Sequence, residues 1–332
     1  MAVNVAALRV QLLLTSVVLI LGSCSPSGDS VSTAPGVETL VRAHEGPPGS
    51  QVRLGRRRGS LLYAVGSLAL YVFTYPAGKL IAKVSGHGGA GACSDQSGNV
   101  FVTQENQIEE YAHGGTAPIE TLGEPGFLAS SCSVDPYSGD LAVMNDSGTS
   151  GNVAIYPGAH GPPRLYSDPN IRYYYYCGYD SEGNLFIDGG TNTDAFAFAE
   201  LPFGNQSFID ISGISKLSIG SVQWDGQYVT ISNQSGGGSR GKIYRLRVSG
   251  STASVAGTTR LAKWHPHILA QSWIQGRTFT APSGVYSREI AIWEYPFGGK
   301  SIRSFGGPFA KDRLHAVAVS LAPKRAFLNS VP

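Results

Sequence analysis

Four of the seven histidines, His87, His265, His267 and His315, fall in segments between apolar strands, where an imidazole can serve as base, proton carrier or metal ligand. His265 and His267 flank Pro266. That spacing suits ligation, yet no third ligand stands nearby, and a loop histidine with a structural hydrogen bond explains the pair as well. The run Tyr173-Tyr174-Tyr175-Tyr176 sends two rings to each side of a strand. Rings such as Tyr174 and Tyr176, if exposed, would stack on a sugar or a partner surface; the same rings serve equally as wall residues of a β-rich protein. Carboxylates and amides at Glu105, Asn145, Asp188 and Asn233 are oxygen donors, and their commonest work at strand ends is to cap turns. No His-Glu-x-x-His or phosphate-cradling loop occurs. The glycine-rich stretch around Gly236-Gly237-Gly238 lacks the strand-to-helix context that a nucleophile elbow needs.

The elements that carry these residues repeat. Val72-Phe73-Thr74-Tyr75-Pro76-Ala77-Gly78 recurs as Ile108-Glu109-Glu110-Tyr111-Ala112-His113-Gly114 and as Val153-Ala154-Ile155-Tyr156-Pro157-Gly158. It returns as Phe198-Ala199-Glu200-Leu201-Pro202-Phe203-Gly204, degenerately as Ile243-Tyr244-Arg245-Leu246-Arg247-Val248-Ser249-Gly250, and as Ile292-Trp293-Glu294-Tyr295-Pro296-Phe297-Gly298. The key positions 75, 111, 156, 201, 246 and 295 are 36, 45, 45, 45 and 49 residues apart, in the range of propeller blades. From the second copy onward a hairpin precedes each motif, as in Cys93-Ser94-Asp95-Gln96-Ser97-Gly98-Asn99-Val100 and Cys177-Gly178-Tyr179-Asp180-Ser181-Glu182-Gly183-Asn184-Leu185. There Asp caps the turn and Gly supplies positive φ.

Each unit therefore reads as four strands: A before the turn, B after it, C carrying the Tyr-Pro motif, and D. One such sheet cannot bury both faces alone, so copies must stack around an axis. The expectation is an all-β, six-bladed β-propeller with four antiparallel strands per blade. The first copy, Leu61 to Ser85, lacks strand A, and the C-terminal segment Leu314–Ser320 is expected to supply it and close the ring. Arg325-Ala326-Phe327-Leu328 is left unplaced. Cys93, Cys132 and Cys177 all fall on A strands. Cys132 and Cys177 lie three residues before their turn Asp and Cys93 two, so alternation points Cys93 the other way. Buried free thiols are the expected state, and should a bridge form, Cys132–Cys177 is the better pair.

The Asp-x-x-Gly-Asn-Leu-Phe strand followed by Tyr-Pro-x-Gly resembles NHL-type repeats over about residues 60 to 330. These repeats build six-bladed propellers akin to the gluconolactonase and strictosidine-synthase superfamily. The resemblance implies, in its lactonase-like members, a calcium or other divalent ion held by Glu, Asn and Asp from several blades. Glu105, Asn145, Asp188 and Asn233 are the positions at comparable B-strand ends. No cofactor follows from the residues themselves.

The N-terminus carries an address. Arg9 precedes the apolar run Leu12 to Leu21, too short to span a bilayer and fitting a signal peptide. Leu21-Gly22-Ser23-Cys24 resembles the lipobox of bacterial lipoproteins, which implies cleavage before Cys24, its acylation (palmitate among the chains) and a membrane anchor. Residues 1–23 are thus expected to be the signal, 24–59 a Gly/Pro/Ser tether, and 60–332 the propeller. The composition agrees: 42% apolar residues, only 14% charged, and 43 glycines and 16 tyrosines in 332 residues fit short strands and tight turns. A net charge of +2 offers no field for nucleic acid. The expected protein is a monomeric lipoprotein of the bacterial cell envelope, a non-catalytic binding module for a protein or glycan at the loop face. A metal-dependent hydrolase or lyase of the lactonase-like kind is the alternative.

Overall fold

The computed structural model describes residues 59–322 apart from 127, 147–149, 234–239, 263–269, 284–287, 308 and 310. The expected signal peptide, Cys24, nearly all of the tether, His265, His267 and Arg325–Leu328 lie outside the described residues. Among the described residues no helix is long and apolar enough to cross a membrane.

Six four-stranded antiparallel sheets form, each from consecutive strands except the first. Blade 1 comprises β1 (Leu61–Gly66), β2 (Ala69–Thr74) and β3 (Leu80–Ser85), with β24 (Leu314–Ser320) on its inner edge. Blade 2 holds β4 (Gly91–Ser94), β5 (Val100–Thr103), β6 (Gln107–Tyr111) and β7 (Glu120–Gly123). Blade 3 holds β8 (Ala129–Val134), β9 (Leu141–Asn145), β10 (Asn152–Tyr156) and β11 (Arg164–Tyr166), with a single 3-10 turn at Pro157–Ala159. Blade 4 follows with β12 (Tyr173–Tyr179), β13 (Leu185–Gly190), β14 (Phe196–Leu201) and β15 (Ile209–Asp210). Blade 5 has β16 (Gly220–Trp224), β17 (Val229–Asn233), β18 (Arg240–Ser249) and β19 (Thr252–Ala262). Blade 6 has β20 (Trp273–Gln275), β21 (Thr278–Ser283), β22 (Glu289–Glu294) and β23 (Arg303–Gly306).

The inner strands touch in a closed cycle, β24 to β4, β8, β12, β16, β20 and back to β24. Each sheet is thus covered on both faces by its neighbours, which is why β2 is buried along Ala69–Phe73 with no alternation. The outer strands behave oppositely: β11 and β15 keep exposed residues at the rim. As expected, β24 pairs with β1 from Leu61↔Ser320 to Gly66↔Leu314, so the first and last strands share one sheet. The hairpins carry the chemistry read from their sequence. Asp95 Oδ1 accepts the Asn99 N–H at 2.7 Å, and Asp180 Oδ1 accepts those of Glu182 and Asn184 at 2.9 Å. Gly98 and Gly183 sit at φ +86° and +84°, where a Cβ would strain the turn.

The axis is not an open pore at the level of Gln271. This fully buried amide reaches from blade 6 across to blades 2 and 3. Its Oε1 accepts the Ala92 N–H at 3.0 Å and its Nε2 donates to the Cys132 carbonyl at 2.7 Å.

The cysteine expectation is corrected. Cys93 and Cys132 form a disulfide, with Cα atoms 5.6 Å apart, and Cys177 is the buried free thiol. Stacked sheets explain why. Each blade turns one face to the blade before it and the other to the blade after. Cys132 and Cys177 share a parity, and both point backward: the Cys132 sulfur lies against the Phe101 carbonyl of blade 2, the Cys177 sulfur against the Ala142 carbonyl of blade 3. Cys93 has the opposite parity, points forward, and therefore meets Cys132.

Candidate functional site

Antiparallel pairing puts all B-to-C and D-to-A connections on one side of the ring, the loop face, and the A-to-B and C-to-D connections on the opposite hairpin face. Two half-buried imidazoles stand together on the loop face. His87 lies between β3 and β4. Its Nδ1 is 2.8 Å from Glu109 Oε2 and 3.0 Å from the Tyr111 hydroxyl, which itself donates to Glu109 at 2.6 Å. The Glu109 carboxylate is buried and also accepts from the Gln107 amide at 3.3 Å, while a third of the His87 side chain stays open to solvent. Burial and the adjacent Glu109 charge push the Tyr111 phenol far above its ordinary value, so it stays a donor.

His315 stands at the start of β24, with Nε2 2.7 Å from the Ser67 hydroxyl in the β1–β2 connection. Burial lowers its pKa, opposed by the charge of Asp312 and aided by Arg313. A hydroxyl–imidazole pair of this length is the beginning of a nucleophile–base dyad. The third member is not engaged: Asp312 Oδ1 accepts from the Leu68 N–H and Oδ2 from the Tyr71 hydroxyl, both at 3.0 Å. Backbone contacts lace the two imidazole sites together. Gly89 N–H donates to Gly66 O at 2.9 Å and Gly86 N–H to Leu68 O at 3.0 Å. A Cβ at Gly88 would fall 2.5 Å from the Ser67 backbone, so only glycine lets the His87 loop approach this closely.

The four proposed metal-ligand positions occupy different environments. Asp188 is fully buried. Its Oδ1 accepts the Tyr176 N–H at 3.0 Å and its Oδ2 the Gly220 N–H of blade 5 at 2.7 Å, so it clamps two blades. Burial drives its carboxyl well above the usual range, against the pull of those two N–H groups. Asn145, also fully buried, donates from Nδ2 to Glu124 Oε1 and Asn152 Oδ1 at 2.8 and 2.9 Å, while its Oδ1 accepts no hydrogen bond from the described residues. Glu105 is exposed and Asn233 half-buried, each at the loop-face end of its blade. Of the four, Asn145 offers a buried oxygen with spare capacity. Asp188 offers charge, already oriented by backbone donors.

The tyrosine expectation is corrected in part. Tyr174 and Tyr176 are buried and cannot stack on an external ring. The Tyr174 hydroxyl instead accepts the Asp168 N–H at 2.6 Å, tying down the preceding loop. Tyr173 and Tyr175 are the half-exposed members. Sequence reading missed Glu109, Glu124 and Ser67. The signal for Glu109 was present: two adjacent glutamates interrupt an apolar strand, and alternation puts Glu109 on the side of Tyr111.

Clefts also occur on the hairpin face. One between blades 3 and 4 has a volume of about 260 Å³ and is lined by Asp135, Arg164, Tyr179 and Phe203 among others. At its rim the exposed rings of Tyr137 and Phe203 meet edge to face, 5.4 Å apart.

No protein-family model matches the chain, and no curated protein matches it. Solved structures do. A chain from the crystal structure of a nidogen/laminin complex superposes with a TM-score of 0.61 at 13% identity, covering 80% of this chain and 100% of that one. A protein of unknown function from Bacteroides caccae superposes with a TM-score of 0.53 at 9% identity, covering 79% of this chain and 99% of its own. Identities this low speak for the fold alone: the chain is a six-bladed β-propeller.

Proposed function

We propose that the protein is a lipid-anchored, extracytoplasmic propeller of the NHL-repeat kind. It acts as a non-catalytic, monomeric binding module for a protein or glycan partner at the loop face of the bacterial cell envelope. The observation that carries the reading is the paired His87 and His315 sites. Two imidazoles, each with one nitrogen engaged inside the fold, stand on adjoining loops that backbone hydrogen bonds hold in place. Pre-oriented polar groups on a rigid surface recognise hydroxyls and amides at little entropic cost. The Cys93–Cys132 bridge supports an oxidising compartment. The nidogen/laminin structure offers one propeller-fold neighbour found in a complex. The anchor itself rests on the Leu21-to-Cys24 motif.

Two measurements test this. Radiolabelled palmitate should enter the wild-type lipoprotein and be lost in Cys24→Ala; labelling of the variant refutes the anchor. Envelope cross-linking and a glycan array should give signals that His87→Ala and His315→Ala reduce at least about tenfold, each group supplying one or two hydrogen bonds. The hairpin-face change Phe203→Ala should leave them intact. The reverse pattern moves the partner to the other face.

The orphaned Asn145 Oδ1 favours a second reading, a lactonase-like site in which Asn145, Asp188, Glu105 and Asn233 would hold a calcium-like ion. Such an ion would polarise a carbonyl or activate water. Lactone hydrolysis abolished by chelator and by Asn145→Ala would establish it; inactivity with and without calcium eliminates it.

A further inference from the structure

A second group of ligand-type side chains lies on the hairpin face, between blades 2 and 3. Strand register places Glu110 on β6 directly opposite Glu120 on β7. Phe101, the other cross-strand partner of Glu110, packs with Cys93 and Cys132, so this face of blade 2 looks toward blade 3. From blade 3 comes His160, just after the Pro157–Ala159 turn. Its Nδ1 is 2.7 Å from Glu120 Oε2. One ligand atom from each of Glu110, Glu120 and His160 lies within 4.8 Å of the others.

Glu110 makes this more than a surface cluster. It is only 6% exposed, and none of the described residues gives its carboxylate a hydrogen bond. Like charges directly opposite on paired strands destabilise a sheet. A bound dication would offset the repulsion between the facing Glu110 and Glu120 carboxylates.

We infer that Glu110, Glu120 and His160 form a divalent transition-metal site, of the kind zinc takes, bridging blades 2 and 3. An imidazole beside two carboxylates suits zinc and its neighbours, whereas calcium and magnesium prefer oxygen alone. Three protein ligands leave a fourth position for water. The ion has an entry path: the His160 and Glu120 side chains are 67% and 34% exposed. The site is separate from the loop-face positions and stands whether or not those bind anything.

The test is calorimetric titration of the EDTA-stripped, dialysed full chain with zinc chloride, read beside thermal unfolding with and without zinc. Expected are one tight zinc per chain, a rise in melting temperature on adding it, and no competition from millimolar calcium. The near-isosteric Glu110→Gln and the exposed His160→Ala should each weaken zinc binding by about tenfold or more, the loss of a ligand costing at least as much as the loss of a group that only orients one. Both should abolish the melting shift. Wild-type protein that takes up no zinc, variants that bind as tightly as wild type, or calcium that displaces the zinc would each overturn the assignment.

Discussion

An imidazole held by a neighbour's hydroxyl reports its surroundings through its proton. For His315, burial makes the charged ring unfavourable in the fold, and the unfolded chain takes the proton more readily. The stability it contributes is therefore full above its ordinary value, about pH 6.5, and drains as pH falls through the lower folded value. Acidification from about pH 8 to about pH 5 should shift the urea midpoint of wild type further downward than that of His315→Gln. Equal shifts would remove His315 as the cause. Single residues were the hardest scale to read in advance. That histidines and acids gather on the loop face follows from strand direction. Which of them touch does not: Ser67 and His315 are joined only because the last strand, β24, returns to the first blade.

At the scale of strands, alternation was legible and its consequence was not. Parity along an A strand shows which way each cysteine points, and Cys93 does oppose Cys132 and Cys177. In a single sheet, side chains meet when they share a face; between stacked sheets they meet when they do not. Cys93 and Cys132 are 39 residues apart in sequence, so a chain-entropy estimate gives their bridge about 4 kcal/mol of stability. The double variant Cys93→Ser/Cys132→Ser should lose about 3–4 kcal/mol in urea unfolding. In the wild-type protein a non-reducing peptide map should join those two segments and leave Cys177 open to alkylation only after unfolding. A map joining Cys132 to Cys177 would reverse the assignment.

At the scale of the whole ring, repeat spacing foretold the blade count and the borrowed strand, because both follow from periodicity and from the need to cover sheet faces. What periodicity does not carry is how the centre is filled, and so Gln271 came as a finding of the structure. The closing strand is where damage should spread. Val317 on β24 is fully buried, whereas Ile209 on the outermost strand of blade 4 is exposed. Val317→Asp places an unpaired charge in the core and should cost about 3–5 kcal/mol or prevent folding, while Ile209→Asp should cost less than about 0.5 kcal/mol. Comparable losses from the two would argue against a ring sealed by β24.

That seal also sets an order of events. In chain order β1–β3 precede the other five blades and the strand that completes their sheet follows them, so a chain emerging N-terminus first leaves blade 1 waiting with its inner ladder unsatisfied. The nascent chain must meanwhile be shielded from pairing with a second copy, and final folding is timed by the arrival of residues 314–320 rather than by the first blade's own sequence.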